Sequence, residues 1–186
     1  MLILASKSPR RRELLGLIRP DFSVTSPDAD ETLPEGIAPP DAALLLSQIK
    51  ARAAAAMSQH SGDDIIIGSD TLVALGDTIL GKPQDETDAK RMLRLLSGKT
   101  HTVCTGVTVI RGTREKSFVN ITSVTFYPLS DAEIDAYVAT KDPMDKAGAY
   151  GIQGVGSVLV EKIDGDFFSV MGLPVAELHR VLQEME

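Results

Sequence analysis

The sequence predicts an α/β protein built on a mixed β-sheet, and three features carry that prediction. A short apolar strand, Leu2 to Ala5, runs directly into a segment with helix-start signals. Ile65, Ile66 and Ile67 form a second apolar strand that ends in GSDT. Between Thr100 and Tyr127 two long β-branched runs flank RGTRE, the pattern of an antiparallel pair. Helical and strand patterns alternate through the remainder, which favours helices packed on a sheet.

After the first strand, Ser8 can cap a helix and Pro9 can occupy its first turn, with Leu14, Leu15, Leu17 and Ile18 as its apolar residues. From Phe22 to Pro40 the chain is rich in proline and acidic residues and has no sustained period, so a long loop is expected. Loops of that length are usually functional or disordered. A second helix is expected from about Asp41 to Ser58, with Leu45, Ile49, Ala53 and Ala56 to Met57 on one face. The Ile65 to Ile67 strand follows, then a hairpin of Leu72 to Leu75 and Thr78 to Leu80 around Gly76 and Asp77. Glu86 to Ser97 reads as a third helix, with Ala89, Met92, Leu93 and Leu96 inward. The Thr100 to Tyr127 pair is long enough to stand out as a protruding arm. Ser130 caps a further helix through Ala139, with Asp131 and Glu133 in the first turn where the helix dipole favours negative charge. The glycine-rich stretch KAGAYGIQGVGS leads to a strand from Val158 to Ile163, and a final helix spans Pro174 to Met185.

No linker-like stretch divides residues 1–186, so a single domain is expected. The 43% hydrophobic and 24% charged content is that of an ordinary globular protein rather than a disordered or membrane chain. A net charge of -7 disfavours a nucleic-acid partner, whose phosphate backbone calls for a basic surface. A single nucleotide is not excluded by it. The apolar start is too short for a secretory segment, and no run reaches a membrane span. One cysteine, Cys104, permits no intramolecular disulfide, which suits a reducing compartment. A cytoplasmic protein with no membrane partner is the expectation.

The arginines Arg10, Arg11 and Arg12 fall in the first turn of the first helix, where the dipole disfavours cations by about a few tenths of a kcal/mol each. An anion would offset that cost, and helix N–H donors, guanidinium groups and the hydroxyls of Ser6 and Ser8 together suit a polyphosphate. A solvated basic patch is the alternative. Asp70, placed where the Ile65 to Ile67 strand is expected to end, is the candidate catalytic base or cation ligand; a turn aspartate is the plain alternative. Glu31 lies in the acidic loop that can face the basic one. Lys50 and Lys82 are each either a point-charge phosphate ligand or a surface lysine. Gln153, among Gly148, Gly151, Gly154 and Gly156, can offer a donor and an acceptor to a base edge, and a simple turn would use the same glycines.

Other chemistries find little support. His60, His101 and His179 show no zinc-ligand spacing, Cys104 has no histidine motif beside it and reads as a buried structural thiol, and GxxxxGK[ST] is absent.

The motifs SKSPRRRELL, GSDTLVALGDTILGKPQD, LRLLSGKTHTVCTGV, DKAGAYGIQG and VMGLPV, in this order and across essentially the whole chain, resemble those of the Maf proteins. That resemblance implies a Maf/inosine triphosphatase-like fold: an elongated mixed sheet flanked by helices, with two lobes around a nucleotide cleft. It implies hydrolysis of a nucleoside triphosphate to monophosphate and pyrophosphate with a divalent metal, Mg2+ or Mn2+. It makes Asp70 the proton acceptor, Glu31 and Asp70 the metal ligands, and Ser8, Arg11, Lys50 and Lys82 the phosphate shell. Arg10, Thr71 and Gln153 match the subtype acting on dTTP and UTP rather than the subtype acting on 7-methyl-GTP. The resemblance also implies a homodimer and a link to septum formation. GSDT stands where many pyrimidine-type members have GADT, a small-for-small change. A 7-methyl-GTP enzyme and a non-hydrolytic nucleotide-binding regulator of division are the competing readings.

Overall fold

The structure, a computed structural model, describes residues 1–57 and 59–186. Its centre is one mixed sheet in the order β2-β1-β3-β5-β6-β7, with β4 paired to β3. β1 (Leu2–Ala5) lies parallel to both β2 (Ser23–Thr25) and β3 (Ile65–Leu75). All other pairings are antiparallel: β3 with β4 (Thr78–Leu80) and β5 (Thr100–Arg111), β5 with β6 (Arg114–Phe126), and β6 with β7 (Val160–Asp164). The mixed α/β class expected from the sequence is therefore the class found.

The first helix, α1 (Pro9–Gly16), begins as its residues dictate: the Ser8 hydroxyl accepts from Arg11 N at 3.4 Å and Pro9 occupies the first turn. Helix α2 spans Pro39–Ala55, so the two prolines assigned to the loop open the helix instead, where their missing N–H groups cost nothing. The expected end at Ser58 lies outside the described residues. The long loop is also interrupted by β2, a three-residue strand too short to show a period. Helix α3 (Glu86–Leu96) is capped by Asp85, and α4 (Asp131–Ala139) by a reciprocal Ser130–Glu133 capping box. The chain closes with α5 (Phe167–Met171), which sequence reading missed, and α6 (Val175–Met185).

Two expectations are corrected. GSDT does not end a strand: β3 continues through it, because ten successive residues from Ile65 to Ala74 pair with β5 and hold the backbone extended. The Thr100 to Tyr127 pair is no protruding arm. β5 is interior, bonded to β3 on one side and β6 on the other, and α2 and α6 fasten its far end. There Arg52 forks onto Glu115 at 3.0 and 2.7 Å, Arg111 donates to the carbonyl of Met185 at 2.9 Å, and Arg114 to that of Glu184 at 2.6 Å.

Helices cover both faces of the sheet. Leu14 and Leu15 of α1 and Leu178, Val181 and Leu182 of α6 pack with Leu4, Ile67, Val107 and Val109. On the opposite face α2 rests on Ile3, Ala5 and Ile66 through Ala54. It rests unusually close, because a Cβ on Gly68 would come within 2.4 Å of Ser47 O and one on Gly106 within 2.2 Å of Ala43 O. A third apolar cluster forms at the other end of β3 and β5, where Val73, Val103, Val124 and Phe126 meet α3 and α4. No described helix is long and apolar enough to cross a membrane.

Candidate active site

A cleft of about 920 Å³ opens between the apolar cluster under α1 and α6 and the one under α3 and α4, and the sheet itself explains why it is there. Strand β1 stops at Ala5, opposite Gly68, whereas β4 begins its pairing opposite Val73. Between them the edge of β3 from Ser69 to Leu72 has no neighbouring strand. The loop that leaves β1 for α1, the loop before α2 and the glycine-rich segment after α4 close around that window. The crevice thus lies beyond the carboxyl end of a parallel strand, the usual place for a ligand in an open α/β sheet, but the strand concerned is β1 and not β3.

Side chains alternate along β3, so Asp70 faces the same way as Gly68, toward α2, and Thr71 faces the other way, toward α1. Asp70 pairs with the Lys50 ammonium, and Glu31 meets the same ammonium at 3.2 Å. The side chains of Lys50 and Asp70 are 19% and 13% exposed, whereas Glu31 is about half exposed. On the other face Arg11 donates from Nε to Gly172 O at 2.9 Å, and from its terminal nitrogens to Thr71 Oγ1 at 3.1 Å and Ser6 Oγ at 3.4 Å. Burial lowers the Arg11 pKa from its ordinary value, against the pull of Asp70 and Glu31 and with the repulsion of Arg10. A guanidinium so held is fixed in direction by three acceptors. Thr71 in turn bonds Thr105 Oγ1 at 2.9 Å, which anchors to Ser169 O at 2.8 Å.

The remaining candidates lie around this pair. Ser8 lines the cleft and spends its hydroxyl on the cap of α1. Arg10 reaches across to Asp145 at 3.4 Å, while Arg12 is exposed. Lys82 is exposed on the loop between β4 and α3 and makes no ion pair among the described residues. Gln153 is exposed at the mouth, just before the 3-10 helix Gly154–Leu159. Ser8, Arg10, Arg11, Glu31, Lys50, Asp70, Thr71, Lys82 and Gln153 therefore all line one cleft. Asp142, Asp145 and Lys146 also line the cleft and are not singled out by the sequence, because charged residues beside a glycine-rich stretch have no motif of their own.

Among the described residues no three His, Cys, Asp or Glu side chains converge on a point, so no all-protein metal cage is present. The donor set nevertheless fits a hard divalent ion. Glu31 and Asp70 already share one cation, the Lys50 ammonium, and Mg2+ characteristically takes one or two carboxylates together with substrate phosphates and water. Cys104 is fully buried and its thiol is pushed up to about 11 by burial, in keeping with a structural role.

A mixed α/β sheet whose interrupted edge opens into a cleft lined by arginines, lysines and carboxylates defines an α/β protein with a charged cleft, and its architecture is one already seen. The solved structure of the Staphylococcus aureus Ham1 protein superimposes with a TM-score of 0.54 at 14% identity, covering 100% of this chain and 99% of that one, which establishes the fold. The family described as Maf-like protein matches residues 1–185, and the chain belongs to that family. Among curated relatives, a dTTP/UTP pyrophosphatase of Bacillus velezensis is 48% identical over 183 residues, covering 98% of this chain and 95% of its own. One from Bacillus cereus is 48% identical over 185 residues, covering 100% and 95%, and one from Bacillus mycoides is 47% identical over 185 residues with the same coverage.

Proposed function

We propose that the chain is a metal-dependent nucleoside triphosphate pyrophosphatase that hydrolyses dTTP and UTP to the monophosphate and pyrophosphate. The observation that carries this reading is a carboxylate, Asp70, held at the unpaired window of β3 between a lysine on one face and a directed arginine on the other. The names of the full-length relatives support the same reaction and substrates.

In this reading Asp70 takes a proton from water as the water oxygen bonds to the α-phosphorus. The bond from that phosphorus to the oxygen bridging the β-phosphate breaks, and pyrophosphate leaves with the electron pair. Arg11 and Lys82 stabilise the leaving charge, and Lys50 shifts from carboxylate to phosphate as the substrate enters. Glu31 and Asp70 would hold the divalent ion, Mg2+ or Mn2+, which when bound neutralises phosphate oxygens. Arg10, Thr71 and Gln153 select the pyrimidine. Residues 1–186 act as one domain, and a cytoplasmic homodimer with a nucleotide as its partner belongs to the same reading.

Metal-dependent pyrophosphate release across dTTP, UTP, CTP and 7-methyl-GTP tests it. Wild type should favour dTTP and UTP, and Asp70→Asn should retain its fold and lose about a thousandfold in turnover. Near-normal release by that variant, or a preference for 7-methyl-GTP, would overturn the reading.

A further inference from the structure

Tyr137 is 3% exposed on α4, yet its hydroxyl has a definite task. It donates to Asp142 Oδ2 at 2.7 Å and accepts from Gly151 N at 3.0 Å. The other oxygen of Asp142 accepts from Lys146 Nζ at 3.0 Å, and the same ammonium reaches Asp145 Oδ1 at 2.8 Å. Asp145 meets Arg10 at 3.4 Å. One polar chain therefore joins Arg10, on the α1 wall of the cleft, to the backbone that carries Gln153 on the opposite wall.

Packing confines the Gln153 segment to this support. A Cβ on Gly151 would lie 2.7 Å from the Lys146 stem, and a Cβ on Gly156 would lie 2.1 Å from Gly151 O and 2.8 Å from the Tyr137 hydroxyl. Residues 151 to 156 thus fold back on themselves over two side chains, leaving Gln153 exposed at the bend. An amide that reads a base edge must be placed to within about 0.5 Å, and the partly buried Gly151 N–H, deprived of its acceptor, would destabilise the conformation that holds Gln153 there.

From this arrangement we infer that Tyr137, Asp142 and Lys146 are positioning residues for base selection, setting Gln153 and Arg10 in register. The inference rests on the pyrophosphatase reading above and assigns the discrimination of that enzyme to a scaffold behind its contact residues. The phosphate-facing groups Arg11 and Lys82 lie outside the chain of contacts, so it separates base affinity from phosphate affinity.

Steady-state kinetics of Tyr137→Phe with UTP and CTP test it, alongside inhibition by inorganic tripolyphosphate and a thermal melt. The expected result is a KM for UTP raised about tenfold, a UTP-to-CTP preference falling toward unity, and kcat and the tripolyphosphate inhibition constant within about twofold of wild type. Asp142→Asn, which keeps an oxygen for the tyrosine, should retain most of the preference that Asp142→Ala loses. Equal changes for both nucleotides and for tripolyphosphate, or an unchanged preference in Tyr137→Phe and Asp142→Ala, would overturn the inference while wild-type turnover of UTP leaves the pyrophosphatase reading standing. A wild type that releases no pyrophosphate overturns that reading and this inference together.

Discussion

Lys50 of α2 and Asp70 of β3 form an ion pair across the gap between helix and sheet, and both side chains are largely withdrawn from water. With Glu31 on its other side, the ammonium holds the place that, in the proposed reading, a divalent ion would compete for. Removing it should favour the metal: Lys50→Met is expected to bind Mn2+ about tenfold more tightly without nucleotide, by electron paramagnetic resonance titration, while losing about a hundredfold in turnover. Weaker Mn2+ binding by the variant would contradict this picture of a shared cation position.

Arg11 uses a planar fork, with Nε on Gly172 O and a terminal nitrogen on Thr71 Oγ1. A lysine has one nitrogen and cannot serve both acceptors in that geometry. Arg11→Lys should therefore lower kcat/KM by about ten- to a hundredfold although charge is conserved. Kinetics indistinguishable from wild type would show that charge alone suffices at this position.

Gly68→Ala should destabilise the protein by about 1–3 kcal/mol, because the new methyl meets helix backbone at Ser47 O and Ala51 N rather than a side chain that can move. Gly16→Ala is the control, with nothing within 4 Å, and should be neutral or stabilising by about 0.5 kcal/mol. Urea unfolding of the two variants would read the contrast, and similar stabilities would refute the close docking of α2.

His101 is 2% exposed, stacked edge-on to Phe126 and bonded to Tyr150 at 2.8 Å, and burial depresses its pKa from 6.5 to about 4. Between those values the unfolded chain holds the proton and the folded chain does not, so stability rises with pH across the window. Its contribution is full above about 6.5 and is lost as pH falls toward 4, amounting to about 2 kcal/mol between pH 6.5 and 4.5. Denaturant titrations at those two pH values should show a smaller loss in His101→Asn than in wild type.

The sequence carried the parts of this molecule whose causes are local. Ser8 with Pro9 and Ser130 with Glu133 are helix starts written into adjacent residues, and both are found where expected. GSDT looks like the turn at a strand's end in isolation, whereas Asp70 lies inside β3 because Ile65 to Ala74 pair with a segment distant in the chain. The open window of β3 is likewise invisible in sequence, since it depends on where β1 stops and β4 begins. Arg11 and Asp70 could be named as candidates from residue type and motif, but their placement on opposite faces of one strand follows from the fold alone.

At Gly68 and Gly106 the backbone of α2 comes directly against the strands, with no side chain of the strand between them to act as a bearing. A helix seated in that way has little room to slide or lift. If Lys50 leaves Asp70 for a phosphate, as proposed above, the travel falls to its own four-carbon stem. Such a rotation involves one residue, whereas a domain hinge moves whole elements over microseconds to milliseconds. In the proposed reading, capture of substrate on this face of the cleft calls for a side-chain rotation and no movement of the helix.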